Sequence, residues 1–171
     1  MKKKGINLHY IILTLILQVF SVAVPVSAIS DAQKDVISGH CEAIRDNLKD
    51  TQRSDSRIMM DVGGYYEAIL MNFVTPLNMR LVENNLLNTG LINNQNDFNQ
   101  TRMDFVASYI EYQRKLEELI LSDCKSEPEK FYDKLAEVRI KRKKVADGAV
   151  KLRKLTSEHM KLVKNLEASY D

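Results

Sequence analysis

Residues 131–166, FYDKLAEVRIKRKKVADGAVKLRKLTSEHMKLVKNL, decide the fold class. Phe131, Leu135, Val138, Arg142, Val145, Ala149, Leu152, Thr156, His159, Val163 and Leu166 recur at alternating steps of four and three. A repeat of about 3.5 residues keeps one stripe of a long helix facing a partner, which is the coiled-coil condition. Upstream, Phe98, Arg102, Phe105, Tyr109, Tyr112, Leu116 and Leu119 follow the same rule. So do Ile37, Cys41, Ile44, Leu48, Thr51, Asp55, Ile58, Val62, Tyr65 and Ile69. Ile110, Ile120, Leu155 and Leu162 widen the stripes enough for three helices. Nothing alternates with the two-residue period of a strand. The expectation is an all-α protein: an elongated three-helix bundle with coiled-coil-like heptad packing.

Punctuation sets the expected boundaries. Ser30-Asp31 reads as the N-cap of a first helix over 31–75. Thr75-Pro76 should kink it, because proline lacks a backbone donor and disfavours helix at the residue before it. A turn or two follows from Leu77 to Val82. Residues 83–97 are Asn-rich around Gly90 and read as a loop, with room for a short helical piece, and Asp97 as the cap of a second helix over 98–123. Ser126-Glu127-Pro128 then separates a third helix over 128–168, with Pro128 near its first position.

Residues 1–28 read as a secretory signal. Lys2, Lys3 and Lys4 precede an apolar run from Tyr10 to Val24, and Val26-Ser27-Ala28 supplies small residues for cleavage. Retention as a membrane anchor is the alternative, since the run nears the ~20 residues that span a bilayer. Cleavage leaves 29–171 as a single helical domain of 143 residues, enough to bury roughly two-thirds of its unfolded surface. It also leaves 22 basic against 23 acidic residues, a net charge of −1. That balance gives no global attraction to nucleic acid and argues against such a partner.

Export decides how Cys41 and Cys124 are read. Two cysteines in an oxidising compartment most simply form one disulfide. Two buried thiols are the alternative; a metal site built from His40, Cys41, Cys124 and His159 lacks the local ligand spacing such sites use. With Cys41 joined to Cys124, the first and third helices run side by side for roughly 60 Å at about 1.5 Å per residue. The same register brings Asp55 level with Arg142 as a buried polar layer, and Asn72 level with His159. It also brings Gly63-Gly64 level with Gly148-Ala149, where Phe105 can enter.

Few residues carry recognisable chemistry. Arg53-Ser54-Asp55-Ser56-Arg57 reads as a polar layer plus helix surface, or as an anion site. Arg139, Lys141, Lys143, Lys144, Lys151, Arg153 and Lys154 form a basic stretch around Arg142 with only Asp147 against it. It is either a solvated helix face or a contact for anionic lipid or polymer. No histidine has an evident nucleophile partner, and no Gly-rich phosphate loop or metal-spaced cluster is present. The expectation is a non-enzyme without cofactor or metal.

Three runs carry a resemblance: Gln52-Arg53-Ser54-Asp55-Ser56-Arg57, Thr75-Pro76-Leu77-Asn78-Met79-Arg80-Leu81, and Asp123-Cys124 through Phe131-Tyr132. Together they resemble uncharacterised exported helical proteins of Saccharibacteria, small-genome bacteria that live on other bacteria. The resemblance covers most of the mature chain. It implies a bacterial, extracytoplasmic setting and supplies no activity and no catalytic residues. The functional expectation is an exported, non-catalytic interaction or structural protein binding a protein or cell-envelope component. The alternative is a membrane- or polyanion-associating protein using the basic face of the third helix.

Overall fold

A computed structural model describes residues 29–169; the segment read as a signal lies outside them. The described residues are helical, with no strand among them. Helix α1 spans Asp31–Gly39, α2 Cys41–Ile69, α3 Thr75–Glu83, α4 Thr89–Ile120 and α5 Pro128–Glu167. A π-helical turn, Leu70–Val74, joins α2 to α3 without a break, so the described residues make four continuous helices rather than the expected three.

The extra helix arises at Gly39-His40. Ser30 caps α1, its hydroxyl accepting from the Gln33 amide while the Gln33 side chain accepts from the Ser30 amide. The helix ends where the Ser38 hydroxyl donates back to the Lys34 carbonyl (2.8 Å) beside Gly39, a pairing that bends helices. The break at His40 folds Ile29 and Ile37 onto Cys41, Cys124 and Phe131. The Cys41–Cys124 disulfide is present, with Cα atoms 5.5 Å apart, and sits in that cluster with Tyr112, Leu116 and Leu119.

Pro76 does not interrupt the rod where a kink was expected. It is the second residue of α3, and the turn before it is π-helical. The Thr75 amide donates to the Leu70 carbonyl five residues back, a widened turn that accommodates a ring without an N–H.

The segment 83–97, expected to be a loop, is mostly helix. Only Asn84–Asn88 connects α3 to α4, with Asn85 at φ 57°, a left-handed conformation asparagine tolerates better than most residues. Asn88, not Asp97, caps α4 by accepting from the Leu91 amide (3.1 Å). Leu91 is fully buried, and Asn94 donates to the Leu155 carbonyl (3.2 Å). These asparagines make specific helix contacts, which composition alone does not reveal.

Helices α4 and α5 pack along most of their length, and α1, α2 and α3 lie against them. Phe105 enters against Gly148, where a Cβ would lie 3.2 Å from the ring and 3.6 Å from the Phe105 Cα, but not against Gly63-Gly64: a Cβ at Gly63 would meet only Met59, and one at Gly64 nothing within 4 Å. A second apolar cluster forms around it from Tyr66, Leu70, Phe98, Leu152 and Leu155.

His159 was expected level with Asn72, but Asn72 is exposed and the contact is with Asn94, whose side-chain oxygen is 3.2 Å from His159 Nδ1. Burial holds the His159 pKa below its ordinary 6.5. The unfolded chain therefore binds the proton more readily, and stability rises with pH through this window. The contribution is complete above pH 6.5 and is lost as pH falls below it toward the native value. Melting temperature should drop on going from pH 7.5 to 5.5, the slope staying under about 1.4 kcal/mol per pH unit. His159→Gln should flatten this window. An equally steep fall in that variant would place the titrating group elsewhere.

Candidate functional site

An open groove of about 480 Å³ lies between α2 and α5, with α4 as its floor. Phe105, Tyr109 and Tyr112 form the floor, Ile58, Met59 and Val62 one wall, and Val145, Ala146 and Ala149 the other. Asp55, Arg139, Arg142 and Lys143 close one end. A second hollow of about 400 Å³ adjoins it, sharing Val62 and Ala149 and reaching Tyr65 and Arg153.

The groove follows from the helical period. A straight helix drifts about 20° per heptad against a 3.5-residue stripe. Counted from Cys41, the stripe has drifted about 50° by Ile58. The core face of α2 is accordingly Met59, Val62 and Tyr66, while Ile58 and Tyr65 stand 55% and 61% exposed on the rim. The expectation that Ile58 and Tyr65 pack inside is corrected on this ground. Small residues on the facing side, Ala146 and Ala149, leave the space unfilled.

At the closed end Asp55 accepts three hydrogen bonds: from the Tyr112 hydroxyl (2.5 Å), Arg142 Nε (2.8 Å) and Arg142 Nη2 (2.8 Å). The expected partners do meet, but not as an interior layer. The Asp55 side chain is 12% exposed and that of Arg142 57%, because Arg142 sits on the groove rim. Burial, then the Asp55 hydrogen bond, pushes the Tyr112 hydroxyl pKa far up, so it donates at every physiological pH. The hydrogen bonds Arg142 donates to Asp55 raise its own pKa.

Replacing Asp55 with Ala frees Arg142 into water at little cost but strands the Tyr112 hydroxyl, whose residue is 1% exposed. The expected loss is about 1–3 kcal/mol, below that of a dry ion pair. In an Asp55→Ala, Tyr112→Phe cycle the two losses should fall short of additivity by about 1 kcal/mol. Additive losses by chemical denaturation would mean that the hydroxyl does not depend on Asp55.

The basic stretch divides. Lys141 pairs with Glu111 (2.6 Å), Lys143 with Asp147 (2.7 Å) and Lys154 with Glu158 (3.7 Å). The Lys141 hydrogen bond holds the Glu111 carboxyl below its usual range. Arg139, Lys144, Lys151 and Arg153 have no carboxylate within 4.0 Å among the described residues. Arg139 and Lys143 line the closed end with Arg142, and Arg153 lines the second hollow. Within Arg53-Ser54-Asp55-Ser56-Arg57, the Arg53 guanidinium pairs with Asp50, and Ser56 accepts from the Tyr109 hydroxyl (3.0 Å).

Met59, Val62 and Ala146 went unrecognised as site residues in the sequence. The available signal was the small-residue pair Ala146 and Ala149 facing a stretch of α2 whose apolar residues outnumber its core positions. Among the described residues no group of three or more His, Cys, Asp or Glu is placed to hold a metal ion, and no helix is long and apolar enough to cross a membrane. Comparison with family models, curated proteins and solved structures gave no match.

Proposed function

We propose that this chain is exported, cleaved after Ala28, and acts as a non-catalytic helical rod that binds a protein or cell-envelope component. The coiled-coil manner of α4–α5 contact and the bacterial setting implied by the sequence resemblance belong to the same proposal. The observation that carries it is the open apolar groove between α2 and α5 with its adjoining hollow, the first bordered by exposed Ile58 and the second by exposed Tyr65 and Val150. Contiguous exposed apolar surface is costly in water and marks interaction sites. The disulfide that pins one end suits an oxidising compartment.

The test is co-sedimentation of purified residues 29–171 with envelopes isolated from the source organism. The native chain should sediment, and Ala146→Trp, which fills the groove from an exposed position, should stay in solution with an unchanged melting temperature. Equal sedimentation of the two would overturn the groove as the binding surface. The second reading, polyanion or membrane contact through α5, is favoured by Arg139, Lys144, Lys151 and Arg153, which have no carboxylate partner among the described residues. It requires that sedimentation weaken steeply with salt and be indifferent to Ala146→Trp.

A further inference from the structure

We propose that the groove binds one long-chain fatty-acid anion, its carboxylate at Arg139 and Lys143 and its chain over Phe105 and Ala149. The inference rests on the groove being the binding surface. Its volume, about 480 Å³, is that of a small-ligand site. From Arg139 to Ala149 is ten residues, or about 15 Å of helix. One acyl chain in a bilayer spans half of a hydrocarbon core about 30 Å thick, which is the same distance. The adjoining hollow extends the run toward Arg153, so a longer chain has somewhere to go.

Polarity is confined to one end. Ile58, Val62, Phe105, Val145 and Ala149 offer only hydrocarbon or ring carbon along the rest, and Met59 adds a weakly polar thioether. At the closed end three cations, Arg139, Arg142 and Lys143, stand with Asp55 in the lining, and Asp147, outside the lining, pairs with Lys143. One positive charge is left over, which matches a ligand carrying one negative charge. Arg142 is committed to Asp55 through Nε and Nη2, and Lys143 to an exposed carboxylate that a ligand can displace. Arg139 has no such partner among the described residues. A neutral chain would leave this charge unmatched, and a short anion would leave the floor wet.

The experiment is calorimetric titration of disulfide-intact residues 29–171 with sodium oleate below its aggregation concentration, beside oleyl alcohol and phosphatidylglycerol vesicles. Saturable binding of one oleate per chain is expected. Arg139→Gln with Lys143→Gln should weaken it by at least about tenfold, and oleyl alcohol should bind about tenfold more weakly. Ala146→Trp should abolish binding. Both sets of changes are at exposed positions, and unchanged melting temperatures separate lost binding from lost fold. Equal affinity for oleate and oleyl alcohol overturns the proposal, as does oleate binding that survives Ala146→Trp. Association with vesicles but not with monomeric oleate also overturns it, in favour of a membrane surface contact. Absent oleate binding with intact, Ala146→Trp-sensitive envelope sedimentation refutes the ligand class alone; loss of both refutes the groove as well.

Discussion

Replacing Cys41 and Cys124 together by alanine should lower the melting temperature of residues 29–171 by roughly 10–15 °C. The bridge closes a loop with a sequence separation of 83, for which chain entropy gives up to about 4–5 kcal/mol and practice usually somewhat less. It also ties the start of α2, just past the break at His40, to the turn between α4 and α5. Nothing else covalent holds the short α1 and the first turns of α2 against Phe131 and Leu119. Cys124 is fully buried and Cys41 nearly so, so substitution is a cleaner probe than added reductant. A double variant melting within a degree or two of the parent would show that the apolar cluster alone fixes this end.

Phe105→Ala should cost about 3–4 kcal/mol, near the lower end for a buried ring because the vacated space opens into the groove and partly hydrates. The residue is 3% exposed, lies against the bare backbone at Gly148, and forms part of the groove floor. Without it Leu152, Leu155 and Phe98 lose a neighbour in the second cluster. Phe105→Leu retains most of the volume and should cost under about 1.5 kcal/mol. Chemical denaturation of both variants decides this; equal, small losses would mean that α4 and α5 do not close over Gly148 as described.

The difference between these two sites shows what the residues alone disclosed. Alternating steps of three and four reveal long amphipathic helices, and two cysteines behind a segment read as a signal point to one bridge, so the helical class and the pinned end were legible. So were the level placement of Asp55 with Arg142 and the approach of Phe105 to Gly148, because both follow from residue counts anchored at the bridge. The break at Gly39-His40 was not, since no proline marks it and the Ser38 back-bond is a local detail. The start of α4 was hidden by asparagine's preference for turns, which the Asn88 cap and the buried Asn94 contact override. The groove was hidden most deeply. A heptad template places Ile58 and Tyr65 inside, and only the accumulated drift of a straight α2 turns them outward and opens the space above Tyr109.

The most direct measurement is photo-crosslinking in the intact source organism, comparing Ile58→benzoylphenylalanine with Ile140→benzoylphenylalanine. Both side chains are large and exposed, but only Ile58 lines the groove, from its rim. If the groove is the working surface, position 58 gives a discrete adduct on irradiation and position 140 gives none. Equal yields at the two positions, or an adduct at 140 alone, would contradict it.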